Sequence, residues 1–163
     1  MLGAYATHNK AVGYCQSMNY LVAHMLIFLG EEESFWLLAR PAYPSASPDF
    51  VPGLPHNVAH SQAAIVEESL PVGYYTDDMQ GVYTDLLVLT ALLQEAIPDV
   101  AASLSKLEVP LELLCSKWLL CMFGLSLPRH TLYRLWDVVI WEGSHMLLAG
   151  CLAAIDANRE AIV

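Results

Sequence analysis

Apolar residues recur at three- and four-residue steps through most of this chain, and prolines cut the pattern into short pieces, which restricts it to short packed helices. Met18, Leu21, Val22, Met25, Leu26 and Leu29 form one stripe, with Gly30 where a helix-ending glycine would sit. The same spacing runs through Leu86, Leu89, Leu93 and Ile97 to Pro98, and through Leu114, Trp118, Cys121 and Leu125 to Pro128. Leu132, Leu135, Trp136, Val139 and Ile140 make a further helix; Leu148, Cys151, Leu152 and Ile155 make another, with Ser144 placed to cap it. No run alternates apolar and polar residues. The expectation is an all-α domain of six to eight helices packed ridge into groove.

One region resists this pattern. From Pro41 to about Ala64 the chain carries Pro41, Pro44, Pro48, Pro52 and Pro55 among small and polar residues, and cannot be helical. A loop of that length inside a domain is functional or inserted. His56 and His60 lie within it at i and i+4, but Pro55 and the lack of a third ligand make them bystanders, and no metal is assigned.

The chain's 163 residues suffice for one domain, 1–163, with an insert at about 41–64. Hydrophobic residues make up 56%, charged residues only 15%, and the mean hydropathy is +0.43. Glu112 and Lys117, and Glu142 and His145, interrupt the longest apolar stretches, so none reaches the roughly 18 clean residues of a membrane span. No secretory signal opens the chain, and a cytoplasmic location is expected. The apolar excess instead suggests faces that pack on further sequence. Seventeen acidic against seven basic residues give a net charge of −10 with no basic cluster, which excludes a nucleic-acid footprint. Cys15, Cys115, Cys121 and Cys151 lack paired metal spacing and read as reduced, mostly buried thiols. Walker A, GxGxxG, GxSxG and HExxH motifs are absent, and nothing flanking Cys15 marks a thiol nucleophile.

The segment Gly13-Tyr14-Cys15-Gln16-Ser17-Met18-Asn19 resembles the YxQGMN signature of TBC domains, the activators of Rab GTPases. Ala4 to Lys10 is similar to that family's AYxxxNP, Glu32 to Trp36 to its EExAFW, and Gly73-Tyr74-Tyr75-Thr76 to its GYY turn. Trp118 to Phe123, and Trp136-Asp137 with Glu142-Gly143, resemble two later elements in the expected order. The resemblance implies a partial multi-helix TBC fold and activation in trans of a GTP-loaded Rab, in vesicle trafficking and intracellular protein transport. It implies no cofactor of its own, since GTP and Mg belong to the partner Rab, and peripheral association with endomembranes through that Rab.

GTP hydrolysis requires neutralised γ-phosphoryl charge and a water held in line. On the family pattern Gln16 is the glutamine finger, because an amide donates to phosphate and accepts from water at once. The residues alone read equally as a capping or merely exposed amide. Tyr14 and Asn19 match supporting or Rab-contacting positions, with a core-edge ring and a local backbone hydrogen bonder as the plainer readings. Trp136 is expected as a buried indole and Asp137 as a helix polar group.

Three departures follow. The family's arginine finger belongs to an IPxDxxR motif upstream of YxQ, which these residues do not contain, and Arg40, Arg129, Arg134 and Arg159 stand at non-matching positions. Activity of the chain as written is therefore expected to be nearly nil, and a non-catalytic Rab-binding or scaffolding module is the alternative. Ser17 replaces a glycine, which matters if that position needs positive φ. Removing 41–64 would join the helix of Glu33–Arg40 to Ile65–Leu70 in phase, so the segment reads as a surface loop or an unspliced piece of the gene model.

Overall fold

The computed structural model describes residues 1–39, 66, 69–71 and 73–163. Its described residues form helices and turns with no strand: α1 Leu2–His8, α2 Met18–Met25, α3 Glu31–Leu38, α4 Gln80–Ala96, α5 Pro98–Lys106, α6 Leu111–Leu120, α7 Arg129–Glu142, α8 His145–Ala157 and α9 Arg159–Ile162. Among the described residues these are nine, against the expected six to eight; α9 is a four-residue turn with no buried side chain and left no periodic trace. The 41–64 segment, with His56, His60 and Arg40, lies outside the described residues. Among those described, no single helix is long and apolar enough to cross a membrane.

The stripes do turn inward. Leu86, Leu89 and Leu93 bury one face of α4, and Leu132, Trp136 and Val139 one face of α7. α4, α6 and α8 pack against one another around Leu119, Leu147 and Cys151, with α7 laid on α8, while α2 packs on both α1 and α3 in a smaller layer around Tyr5, Met18 and Leu21. Ile97 is driven out of helical geometry ahead of Pro98, so α4 stops there and Pro98 opens α5. Arg159 Nε reaches Asp99 Oδ2 at 2.7 Å and ties α9 to α5.

Three local expectations are corrected. α2 ends at Met25, not Leu29, and Gly30 precedes α3 instead of ending α2; its N–H donates to Glu33 Oε2 at 2.6 Å. Ser144 precedes α8 but makes no side-chain capping bond. α6 stops at Leu120, although the apolar period continues through Leu125, because Met122 and Phe123 both adopt left-handed backbone, φ 44° and 61°.

That turn is held by three side chains from distant elements. Tyr75 Oη donates to Leu120 O at 2.7 Å, Trp136 Nε1 to Met122 O at 2.8 Å, and His24 Nε2 to Gly124 O at 2.8 Å. They satisfy carbonyls that the end of α6 leaves without helical partners. His24 Nδ1 lies 3.2 Å from Tyr133 Oη, and its ring packs edge-on to Tyr133 and Trp136. Trp136 is thus the buried structural indole expected, while Asp137 is exposed.

Candidate functional site

The loop between α1 and α2 is built from its own short polar side chains. Asn9 Oδ1 accepts the N–H groups of Ala11 at 3.1 Å and Val12 at 3.2 Å, and Asn9 O accepts that of Gly13 at 2.8 Å. Gly13 turns the chain at φ +64°, a conformation that costs glycine little. On the far side Met18 N–H bonds Cys15 O at 3.2 Å, and Asn19 Oδ1 accepts Ser17 N–H at 3.3 Å. Met18 is fully buried and anchors the start of α2.

Between these two clamps the chain presents Tyr14, 56% exposed, and Gln16, also exposed. No side chain caps α2, so the Gln16 amide is not used as its cap. Asn19 makes the local backbone bond that its residue type allows. Ser17 sits at φ +103° and only 9% exposed, so the position that resembles a family glycine does require positive φ, and serine pays for it in strain.

A second turn, residues 73–79, backs this loop. Gly73 has φ +86°, and a Cβ there would lie 3.1 Å from Gly81 N, so the close approach requires glycine. Thr76 Oγ1 donates within the turn, to Asp78 Oδ1 at 2.7 Å. Tyr74 Oη donates to Asp85 on α4, and Tyr75 reaches across to the α6 terminus. Burial pushes the Cys15 thiol up, and the nearby Asp77 carboxylate adds to the effect. Both effects favour the protonated thiol over a thiolate, and Cys15 packs at the edge of the hydrophobic core.

The sequence profile of the Rab-GTPase-TBC domain matches residues 1–46 and 60–163. The chain belongs to this family. Residues 47–59, which the profile skips, fall within the proline-rich stretch.

Among curated TBC relatives, human growth hormone-regulated TBC protein 1 is 35% identical over 164 residues, covering all of this chain and 41% of that protein. Growth hormone-regulated TBC protein 6 of Caenorhabditis elegans is 35% identical over 161 residues, covering 99% of this chain and 41% of the relative. Rat TBC1 domain family member 2A is 34% identical over 164 residues, again over the full chain but only 15% of the relative. The crystal structure of a Chlamydomonas flagellar RabGAP TBC domain superposes with a TM-score of 0.75 at 29% identity, over 98% of this chain and 45% of that one. The chain thus spans less than half the length of these TBC proteins.

Sequence reasoning overlooked two residues of this TBC chain. Asp77 is far from Cys15 in sequence, yet its charge acts on the Cys15 thiol. His24 is a lone histidine on a helix whose partners lie about a hundred residues away, so no local pattern marks it.

Proposed function

We propose that this chain presents the glutamine finger of a Rab GTPase-activating domain, with Gln16 entering the nucleotide site of a GTP-loaded Rab to orient the attacking water. The observation that carries the reading is the exposed Gln16 between the Asn9 and Asn19 clamps. Clamping both flanks lowers the entropy lost when the amide is aligned. Tyr14 offers a large exposed ring beside it for contact with the GTPase, and Asn19 acts as a positioning residue. GTP and Mg are carried by the Rab, and the chain works at the cytoplasmic face of endomembranes through that partner.

Hydrolysis also needs a cation at the γ-phosphate, a contribution of ~10³ to 10⁵ in rate. Arg129 and Arg134 lie on α7, Arg159 is engaged with Asp99, and none accompanies Gln16 in the loop. Fast turnover on this reading requires an arginine from sequence beyond these residues. The strained Ser17 favours a second reading, a TBC module that binds a Rab without accelerating hydrolysis.

Single-turnover GTP hydrolysis by a panel of Rabs separates the two. It is run with this chain, with a longer TBC protein that includes an arginine motif, and with Gln16→Ala in each. Acceleration by the longer form, lowered ~10² to 10³-fold by Gln16→Ala, supports the finger. Rab binding without acceleration in either form transfers the chain to the scaffold class.

A further inference from the structure

Lys10 is the sole Lys or Arg in residues 1–39 of a chain whose net charge is −10. It stands where the family pattern AYxxxNP has proline, so it adds a charge that proline lacks. The residue is exposed, and among the described residues no carboxylate pairs with its ammonium.

This charge shares a loop with Gln16. Asn9 Oδ1 accepts the Ala11 and Val12 N–H groups and Asn9 O accepts that of Gly13, which folds residues 9–13 into a tight turn with Lys10 at its second position. The backbone that carries the ammonium is therefore ordered before a partner arrives, and less freedom is lost on docking. The exposed residues of the loop 9–17 are Lys10, Ala11, Tyr14 and Gln16, which offer a cation, a ring and an amide. The Asp77 carboxylate, whose charge acts on Cys15 in the same loop, opposes an incoming triphosphate. Lys10 is the one Lys or Arg of the loop that offsets it.

We infer that Lys10 gives the chain its preference for a GTP-loaded partner, its ammonium pairing with the γ-phosphoryl oxygens as Gln16 enters the nucleotide site. The inference rests on the Gln16 reading proposed above. The γ-phosphate carries the charge that GDP lacks, so one lysine paired with it distinguishes the two forms. An ammonium meets phosphate as a point charge and needs no forked geometry. Lys10 is a docking residue on this view: it holds the GTP form, while the rate still depends on an arginine.

The test measures binding of the 163-residue chain, by biolayer interferometry, to the same panel of Rabs loaded with GppNHp or with GDP. Lys10→Ala should weaken binding to a GppNHp-loaded Rab at least ~10-fold, toward the affinity of the GDP form, and Lys10→Glu should weaken it further. Lys10→Arg keeps the charge and should keep the preference. Added salt should weaken the wild-type chain more steeply than Lys10→Ala. Lys106→Ala, at an exposed lysine in the last turn of α5, controls for net charge and should leave binding unchanged. Wild-type affinity in Lys10→Ala, an equal loss in Lys106→Ala, or a loss as large with GDP-loaded Rab would overturn the inference, the last by giving Lys10 to a carboxylate of the GTPase surface. Those outcomes leave the Gln16 reading standing, since Gln16→Ala in single-turnover hydrolysis decides it. Binding of no Rab in either form would overturn both.

Discussion

The side-chain carbonyl of Asn19 accepts the Ser17 N–H at 3.3 Å, across the turn that follows Gln16. Ser17 lies at φ +103°, so the bond holds a backbone that serine by itself disfavours. Asn19→Ala should cost about 1 kcal/mol of stability. On the glutamine-finger reading it should also lower Rab stimulation in a protein that carries an arginine finger, while Asn19→Asp, which keeps the acceptor, should retain more. Thermal melts and single-turnover hydrolysis check the two effects separately.

Ser17→Gly should stabilise the chain. Left-handed strain costs a non-glycine residue on the order of 1–3 kcal/mol, and the added freedom of glycine in the unfolded chain returns about 0.4–1 of that. The net gain of about 1 kcal/mol corresponds to a rise of roughly 2–4 °C in Tm for a domain of this size. Ser17→Ala keeps the strain, so calorimetry should find no comparable rise for it.

Trp136→Phe preserves most of the ring's volume but removes the N–H donated to Met122 O. A buried carbonyl deprived of its donor costs about 1–3 kcal/mol. Urea unfolding should show that loss with an unchanged m-value, since the surface exposed on unfolding is nearly the same.

The chain should lose stability in alkali. Burial raises the Tyr74 phenol far above the usual tyrosine range, helped by its hydrogen bond to Asp85 and that carboxylate's charge. Burial likewise raises Tyr75, with Cys121 and Cys15 nearby. Because both folded values lie above the unfolded one, their contribution is complete below about pH 10. It declines above that pH, by about 1.4 kcal/mol per pH unit for each phenol. A pH series of urea midpoints should show the decline, and Tyr74→Phe or Tyr75→Phe should each remove part of its slope.

Much of this architecture is written locally. The buried faces of α4 and α7 follow from apolar spacing, because a helix repeats every 3.6 residues whatever it packs against. Pro98 announces the α4–α5 break because its ring restricts Ile97 before any tertiary contact forms. The Tyr14–Asn19 motif could be picked out for a similar reason, since its residues are neighbours along the chain. The end of α6 was not: the apolar period runs on past Leu120, and the helix stops where Tyr75, Trp136 and His24 capture the carbonyls of the turn. Nor could local pattern reveal that Gly30 serves the helix after it, that the Asp77 charge acts on Cys15, or that Ser17 bears a positive φ. Period and ring geometry belong to single stretches of chain, whereas a carbonyl's donor and a backbone angle held under strain depend on residues that only folding brings within reach.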